Sequence, residues 1–307
     1  MKIAMMGSGG VGGYYGARLA LSGQEVTFIA RGAHAEAMRA RGLTLRGDAG
    51  EETLKPARVV STPDQAGVQD LIVVAVKLWD TEQVARSLAP MLGPKTAVVS
   101  LQNGVDKDEV LARILGRERV LGGVTYIGAV IAEPGVIALT GKLARVLLGE
   151  LDGASSPRLT AIHQAFTSAS VQCAISDQIR LDTWKKFVFL SSFSGLTALT
   201  RMPIGAVRAN PATRAFLLDA LREAAAVARA CGAALDPDFA ETQLHNFDSL
   251  DAAMLSSMAQ DLLRGHRLEL PWLSGAVVRH GEEHRVPVPV HRAIHAGLVL
   301  HQEGHHA

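Results

Sequence analysis

Lys2-Ile3-Ala4-Met5-Met6 is a short apolar run, and Gly7-Ser8-Gly9-Gly10-Val11-Gly12 follows it directly. Residues 13–21 carry alanine and leucine, and a second apolar run over residues 26–30 ends at Arg31. The pattern predicts strand, glycine turn, helix and strand, which is half of a dinucleotide-binding βαβ unit. Each glycine has a mechanical task in it. Gly7 permits the tight turn off the strand, Gly9 lets the backbone approach a pyrophosphate, and Gly12 lets the helix pack on the sheet. Ser8, Gly10 and Val11 complete the turn. The helix start offers unpaired N–H groups and a partial positive charge to phosphates. A glycine turn alone is common; its place between a strand-like and a helix-like run gives it meaning.

Arg31 bears on the kind of nucleotide. An acidic residue at the end of the second strand suits a free ribose 2′-hydroxyl. An arginine suits a 2′-phosphate, through its planar fork of donors. Arg31 is followed by Gly32 and not by an acid, so NADP(H) is expected over NAD(H). The competing reading is a solvated arginine at a strand end.

Working outward, residues 71–76 and 97–101 are continuous apolar runs of the kind buried on both faces of a parallel sheet. The first ends at Lys77 and the second at Gln102-Asn103-Gly104. Ligands of open α/β sheets lie beyond the carboxyl ends of the strands, so Lys77 and Asn103 join the candidate cofactor contacts. Residues 33–41, 81–89, 106–115 and 155–168 read as helices, and 43–45 and 171–175 as strands. The polar stretch 47–55 reads as a surface loop or hairpin. Over residues 120–150 glycines punctuate short runs, which predicts antiparallel hairpins extending the sheet.

From about Asp177 strands disappear. Residues 179–200, 210–231, 238–246, 251–264 and 273–284 read as helices, with a last one beginning near Val290. Breakers stand at Pro203-Ile204-Gly205, Gly232 and Pro287-Val288-Pro289. The expected class is α/β: an N-terminal Rossmann-type dinucleotide-binding domain, residues 1–176, followed by an all-helical C-terminal domain, residues 177–307. A cleft between the two would be the natural substrate site.

Bulk properties narrow the function. With 307 residues, 48% hydrophobic and 20% charged, the chain has apolar material for two domains of ordinary size. A net charge of +1, with Lys and Arg spread along the chain, points away from nucleic acid and anionic membranes. Cys173 and Cys231 are far apart and read as reduced, packed residues of a cytosolic protein. No apolar run approaches the ~20 residues of a membrane span. The first strand begins at once, leaving no room for a leader, so a cytoplasmic location is expected. His291 and His295 stand at helical spacing, and His301, His305 and His306 crowd the tail. No acidic or cysteine ligands converge with them in sequence, so no metal site is expected.

Two polar groups interrupt apolar stretches of the helical half. Trp184-Lys185-Lys186 precedes residues 187–200, which hold no charged residue. A lysine at the edge of such a helix is partly desolvated, which favours proton exchange near neutral pH. Helical spacing puts Lys186, Leu190 and Ser194 on one face, with Lys185 pointing elsewhere. The alternative is a pair of snorkelling lysines at a helix start. Glu269 enters the apolar run Leu268, Leu270, Trp272, Leu273, where a lone carboxylate needs a partner or a task; a surface-facing glutamate is the alternative.

Taken in order, these features resemble the ketopantoate reductase (2-dehydropantoate 2-reductase) family. The resemblance rests on Gly7-x-Gly9-x-x-Gly12, Arg31, Val76-Lys77, Leu101-Gln102-Asn103-Gly104, Trp184-x-Lys186, Ser257-Met258-x-Gln260-Asp261, and Glu269 with Gly275. It runs over nearly the whole chain. It implies an enzyme, an NADPH-dependent reductase that turns a 2-keto acid into a 2-hydroxy acid. It assigns Lys186 as general acid and Glu269 as its partner or the substrate's. It sets Asn103 beside the nicotinamide and the ketone, Ser257 on the substrate carboxylate, and Arg31 and Lys77 towards the adenosine 2′-phosphate. Helical second domains of this sort often contribute to dimers, so a homodimer is an open expectation.

The departures are informative. Where the family helix usually carries asparagines four and eight residues after the lysine, this chain has Leu190 and Ser194. Two further asparagine places hold Met254 and Ile204. Ser194 keeps a hydroxyl for the substrate; the rest of that polar grip has become apolar. Each lost buried hydrogen bond to a small hydroxylated substrate costs about 1–3 kcal/mol. Weak activity on ketopantoate and a preference for a more apolar 2-keto acid or related carbonyl are therefore expected. A pantothenate-pathway reductase with a substrate grip built from other residues, and a non-catalytic NADPH-binding regulator, are the other readings. Lys186 and Glu269 argue against the regulator, which has no use for a proton donor.

Overall fold

The computed structural model describes residues 1–48 and 50–304 and divides into two compact units, Met1–Ile179 and Arg180–Ala307. His305 and His306 lie outside the described residues.

The first unit begins with β1 (Lys2–Met6), α1 (Gly10–Leu21) and β2 (Glu25–Ile29), the two strands parallel from Lys2 opposite Glu25 to Met6 opposite Ile29. There follow α2 (Gly32–Arg41), β3 (Leu43–Gly47), β4 (Gly50–Leu54), β5 (Arg58–Val60), β6 (Leu71–Val74), α3 (Thr81–Ser87) and β7 (Ala97–Ser100). The unit continues with α4 (Lys107–Leu115), β8 (Val120–Glu133), β9 (Val136–Glu150), α5 (Pro157–Ser168) and β10 (Gln172–Ile175). The sheet order is β4-β3-β9-β8-β7-β6-β1-β2-β5, with β10 also on β9. Its run β5-β2-β1-β6-β7-β8 is parallel throughout. Strand order reverses between β1 and β6, and at such a switch point an open sheet leaves a crevice for ligand.

Alternation explains why these strands are continuous apolar runs. Ile3, Met5, Leu71 and Val73 join one core with Tyr15, Leu19 and Phe166 of α1 and α5. Ala4, Ile72 and Val74 join another with Val84 and Leu111 of α3 and α4. Both faces of the sheet are covered, so neither set of alternate residues can be polar.

Two expectations change here. The 120–150 region is one long antiparallel hairpin, β8 against β9, instead of several short ones. Gly122 and Gly123 mark close approach within β8 and not turns. A Cβ at Gly122 would press on Ile179 at 2.7 Å, and one at Gly123 on the Ser100 carbonyl oxygen and Val99, each at 2.7 Å. Strand β5 had no sequence signature, because its three residues are only partly buried and form no apolar run.

The second unit is helical: α6 (Ile179–Thr200), α7 (Ile204–Ala209), α8 (Pro211–Ala230), α9 (Phe239–Asp248), α10 (Ser257–Leu263), α11 (Ser274–His284) and α12 (Pro289–Leu298). Its centre is α8, whose Leu217, Ala220, Leu221, Ala224, Ala225 and Ala228 are fully buried at helical spacing. Glu223 of α8 accepts the N–H groups of Val290 (2.7 Å) and His291 (2.9 Å), capping α12 from outside. The helix expected over 251–264 starts only at Ser257. The carbonyls of Ala252 and Met254 are spent on Gly205 N (2.9 Å) and Ile204 N (3.0 Å). That pairing begins α7 where the sequence suggested a mere break. No helix of the described residues is long and apolar enough to cross a membrane.

Candidate active site

Strands β2, β1, β6 and β7 are parallel neighbours, so their carboxyl ends share one edge of the sheet. Along that edge come Arg31, the glycine turn, Lys77 and Asn103. Gly7 leaves β1 with φ +95°, and a Cβ there would press on Val76 at 2.8 Å and on the Ala75 carbonyl at 2.9 Å. A Cβ on Gly12 would overlap the Gly7 carbonyl oxygen, so α1 begins directly on the turn. Gly9 is different. Its φ of −70° suits any residue, and nothing stands within 4 Å of its Cβ position. The start of α1 also lacks a side-chain cap. Open space before uncapped N–H groups is the cradle a pyrophosphate fills.

The remaining turn residues divide. Gly10 lies against the Ala129 carbonyl of β8, and Val11 is half-buried against the core. Ser8 is buried and its hydroxyl donates to the Ile29 carbonyl at 3.3 Å, so it ties the turn to β2 and leaves only backbone for a ligand. Arg31 is exposed and makes no hydrogen bond or ion pair among the described residues. Lys77 is exposed, its Nζ 5.7 Å from the Trp79 ring centre. Asn103 is half-buried.

Two residues that frame this edge escaped the sequence reading. Gln102 was quoted only as part of a motif. Its side chain donates to the Val76 carbonyl (3.0 Å) and Thr81 Oγ1 (2.8 Å), and its Oε1 accepts from Ser100 Oγ (2.9 Å). It stitches the end of β7 to the end of β6. His34, on the first turn of α2, accepts the Gly135 N–H at Nδ1 (3.0 Å). Burial pushes its pKa below the ordinary histidine value, against the Ser8 backbone, which raises it. A buried amide that reaches across the sheet edge leaves no periodic signal that could have found Gln102.

The second unit carries the other candidates. Lys185 is exposed and Lys186 half-buried, as the helical spacing predicts. Glu269 is 7% exposed and precedes the short helical turn Leu270–Trp272. Of the paired serines, Ser256 is structural. It caps α10 by accepting Ala259 N at 3.0 Å and takes the Thr197 hydroxyl at 2.8 Å. Ser257 is exposed. Ser194 is fully buried, and its hydroxyl finds no partner among the described residues. Leu190 is half-buried, Met254 is 40% exposed and Ile204 is fully enclosed. Near Leu190, Phe189 stacks on Phe247 with ring centres 4.3 Å apart, and Phe193 adjoins both. His291 is fully buried; its Nε2 pairs with the Ala220 carbonyl at 3.0 Å, which gives it a structural task.

Comparison with known proteins covers both units. The family model described as "Ketopantoate reductase PanE/ApbA" matches residues 3–153, and its C-terminal counterpart matches residues 178–302. A 2-dehydropantoate 2-reductase of Mesorhizobium japonicum is 33% identical over 316 residues, covering 96% of this chain and 95% of its own. The crystal structure of a PanE/ApbA family ketopantoate reductase from Ralstonia eutropha superposes with a TM-score of 0.90 at 33% identity, covering 98% of each chain. That of a 2-dehydropantoate 2-reductase from Geobacter metallireducens gives 0.91 at 28% identity, covering 98% of this chain and 99% of its own.

Proposed function

Since the chain belongs to the ketopantoate reductase family, whose members are pyridine-nucleotide-dependent oxidoreductases acting on CH–OH groups, we propose that it reduces a 2-keto acid with NADPH. The open space in front of Gly9, at the uncapped start of α1, carries this reading. The residues fit the cofactor: the turn from Gly7 to Gly12 would hold the pyrophosphate, and Arg31 with Lys77 the 2′-phosphate. A guanidinium without an internal partner is available for a phosphate that an acid in its place would repel. When bound, the reduced nicotinamide supplies a hydride to the carbonyl carbon.

The chain's own residues do the rest. Lys186 donates a proton to the carbonyl oxygen as negative charge builds there, and is itself reprotonated from water. Glu269, buried beside an apolar run, holds the ammonium or the substrate hydroxyl. Asn103 orients the ketone, and Ser257, free at the surface of its unit, takes the substrate carboxylate. Ser194 offers an unpaired hydroxyl to a substrate oxygen.

On substrate, 2-dehydropantoate is the first candidate. A more apolar 2-keto acid is favoured by Leu190, Met254 and the enclosed Ile204, which give no hydrogen bond to a substrate hydroxyl. Family resemblance adds a cytoplasmic location and a homodimer, the latter checked by sedimentation. The deciding experiment is a screen of 2-keto acids, 2-dehydropantoate included, for oxidation of NADPH and NADH. Turnover with NADPH preferred by about tenfold or more supports the reading. NADPH binding without turnover of any 2-keto acid would leave the regulator instead. A specificity constant for 2-dehydropantoate of ~10⁴ M⁻¹s⁻¹ or above would remove the apolar preference.

A further inference from the structure

Strands β7 and β8 pair only through Val98 with Val120 and Val99 with Leu121. Beyond that short ladder, the Lys107 side chain links them. Lys107, the first residue of α4, is 3% exposed, and its Nζ donates to the Ser100 carbonyl (3.1 Å), the Gly123 carbonyl (2.9 Å) and Asp108 Oδ1 (2.8 Å). An ammonium has three donors, and all three are spent. A buried charge is retained at a cost and only when fully paired. Here it closes a ring: the chain leaves β7 at Ser100, passes through Asn103, and returns to Lys107, whose tip grips Ser100 again.

We infer that Lys107 is a positioning residue of the active site, fixing the Asn103 loop in place of a continued β7–β8 ladder. The inference rests on the reading of Asn103 as a group beside the reacting ketone. Gln102 anchors the same loop to β6 on its other side, so Asn103 is held between two anchors. Gly123 makes room for the grip: a Cβ there would stand 2.7 Å from the Ser100 carbonyl oxygen. The glycine turn and Arg31 take no part in this ring. Loosening the ring therefore misaims Asn103 and leaves the anchors of the cofactor's phosphates alone, and small misplacements of an orienting group are costly in rate.

The test compares Lys107→Met, Asn103→Ala and the parent chain in NADPH oxidation with the best 2-keto acid. Lys107→Met is expected to lower kcat about tenfold to a hundredfold, with the KM for NADPH within about twofold. Methylammonium added to Lys107→Ala should restore kcat saturably by refilling the three-acceptor site, while tetramethylammonium, too large and without donors, should not. An unchanged kcat in folded Lys107→Met beside an impaired Asn103→Ala overturns the inference. Full activity of Asn103→Ala removes the reading of Asn103, and this inference with it. Should Lys107→Met fail to fold, Gly123→Ala pushes on the same carbonyl without touching the charge. It is expected to show the same loss in kcat at constant KM, and an unchanged kcat there also overturns the inference.

Discussion

The two units build their shares of the chemistry from different material. In the first, the proposed site is mostly backbone: a turn whose shape needs Gly7, a helix start left uncapped, and strand ends that line up because the strands are parallel. In the second, the proposed site is side chains: Lys186 on α6, Ser257 at the start of α10, and Glu269 just before the Leu270–Trp272 turn. Backbone sites are specified by where glycines and apolar runs fall, so neighbouring residues suffice to define them. Side-chain sites join residues remote in sequence, and local pattern says little about which polar group has a task. The difference predicts that substitutions in the glycine turn and at Arg31 act on cofactor affinity, and those at Lys186 on the rate of the chemical step.

The sharpest way to break that contrast is Lys186→Ala. A general acid contributes about 10²–10⁴-fold, so kcat should fall on the order of a thousandfold while NADPH titration by fluorescence gives an unchanged Kd. Lys185→Ala, on an exposed residue, should leave both within about twofold. Equal losses from the two lysines would mean that neither is the acid.

This contrast also explains how much could be read beforehand. The βαβ start and the helical half were legible from period and punctuation, because burial on both faces of a sheet or along one face of a helix leaves a pattern. Lys186 and Glu269 were visible only as polar residues in apolar surroundings. On local grounds a snorkelling lysine and a surface glutamate were as good, and the resemblance supplied their roles. Gln102 and Lys107 stayed hidden, since a side chain that bonds carbonyls across a sheet edge has no period. The hairpin β8–β9 was misread because glycine signals turns and close approach alike; Gly122 and Gly123 serve the second.

Gly9 and Gly12 sharpen the claim that the first unit's site is backbone. Gly9→Ala places its methyl in open space, so Tm should hold while cofactor affinity drops about tenfold to a hundredfold. Gly12→Ala collides with the Gly7 carbonyl inside the fold and should lower Tm as well. A Gly9→Ala enzyme that binds NADPH normally would show that the space before Gly9 is not the phosphate cradle.

The second unit's dependence on polar side chains has a pH signature in His291. Burial lowers its pKa from 6.5 to about 4, against a backbone hydrogen bond to Ala220 that raises it. Protonation therefore favours the unfolded chain. The contribution is complete above pH ~6.5 and declines as pH falls towards ~4, amounting to about 3 kcal/mol over that span. Glu223 works the other way, since burial raises its carboxyl above the ordinary range despite the N–H groups of His291 and Val290. Its neutral form is favoured in the folded chain, so its contribution declines as pH rises through the raised pKa. His291→Gln, which keeps a donor for the Ala220 carbonyl, isolates the histidine's share. Urea midpoints should show a smaller loss between pH 6.5 and 4 in the variant than in the parent, and parallel losses would deny His291 this role.

The smallest effect expected is also the most specific. Arg31 is exposed, so solvent screens whatever it does, and a charge-assisted hydrogen bond at such a site contributes about 1–2 kcal/mol. Arg31→Ala should raise the KM for NADPH about tenfold and leave that for NADH nearly unchanged, because only the former carries the 2′-phosphate. Arg31→Lys should recover part of the loss, since a point charge attracts the phosphate without the two-pronged geometry. Rising salt should shrink the difference between parent and Arg31→Ala, as screening removes what the variant already lacks. If NADPH and NADH suffer equally, Arg31 shapes the turn and does not read the phosphate. Cofactor choice would then have to reside at Lys77, the other cation on that edge of the sheet.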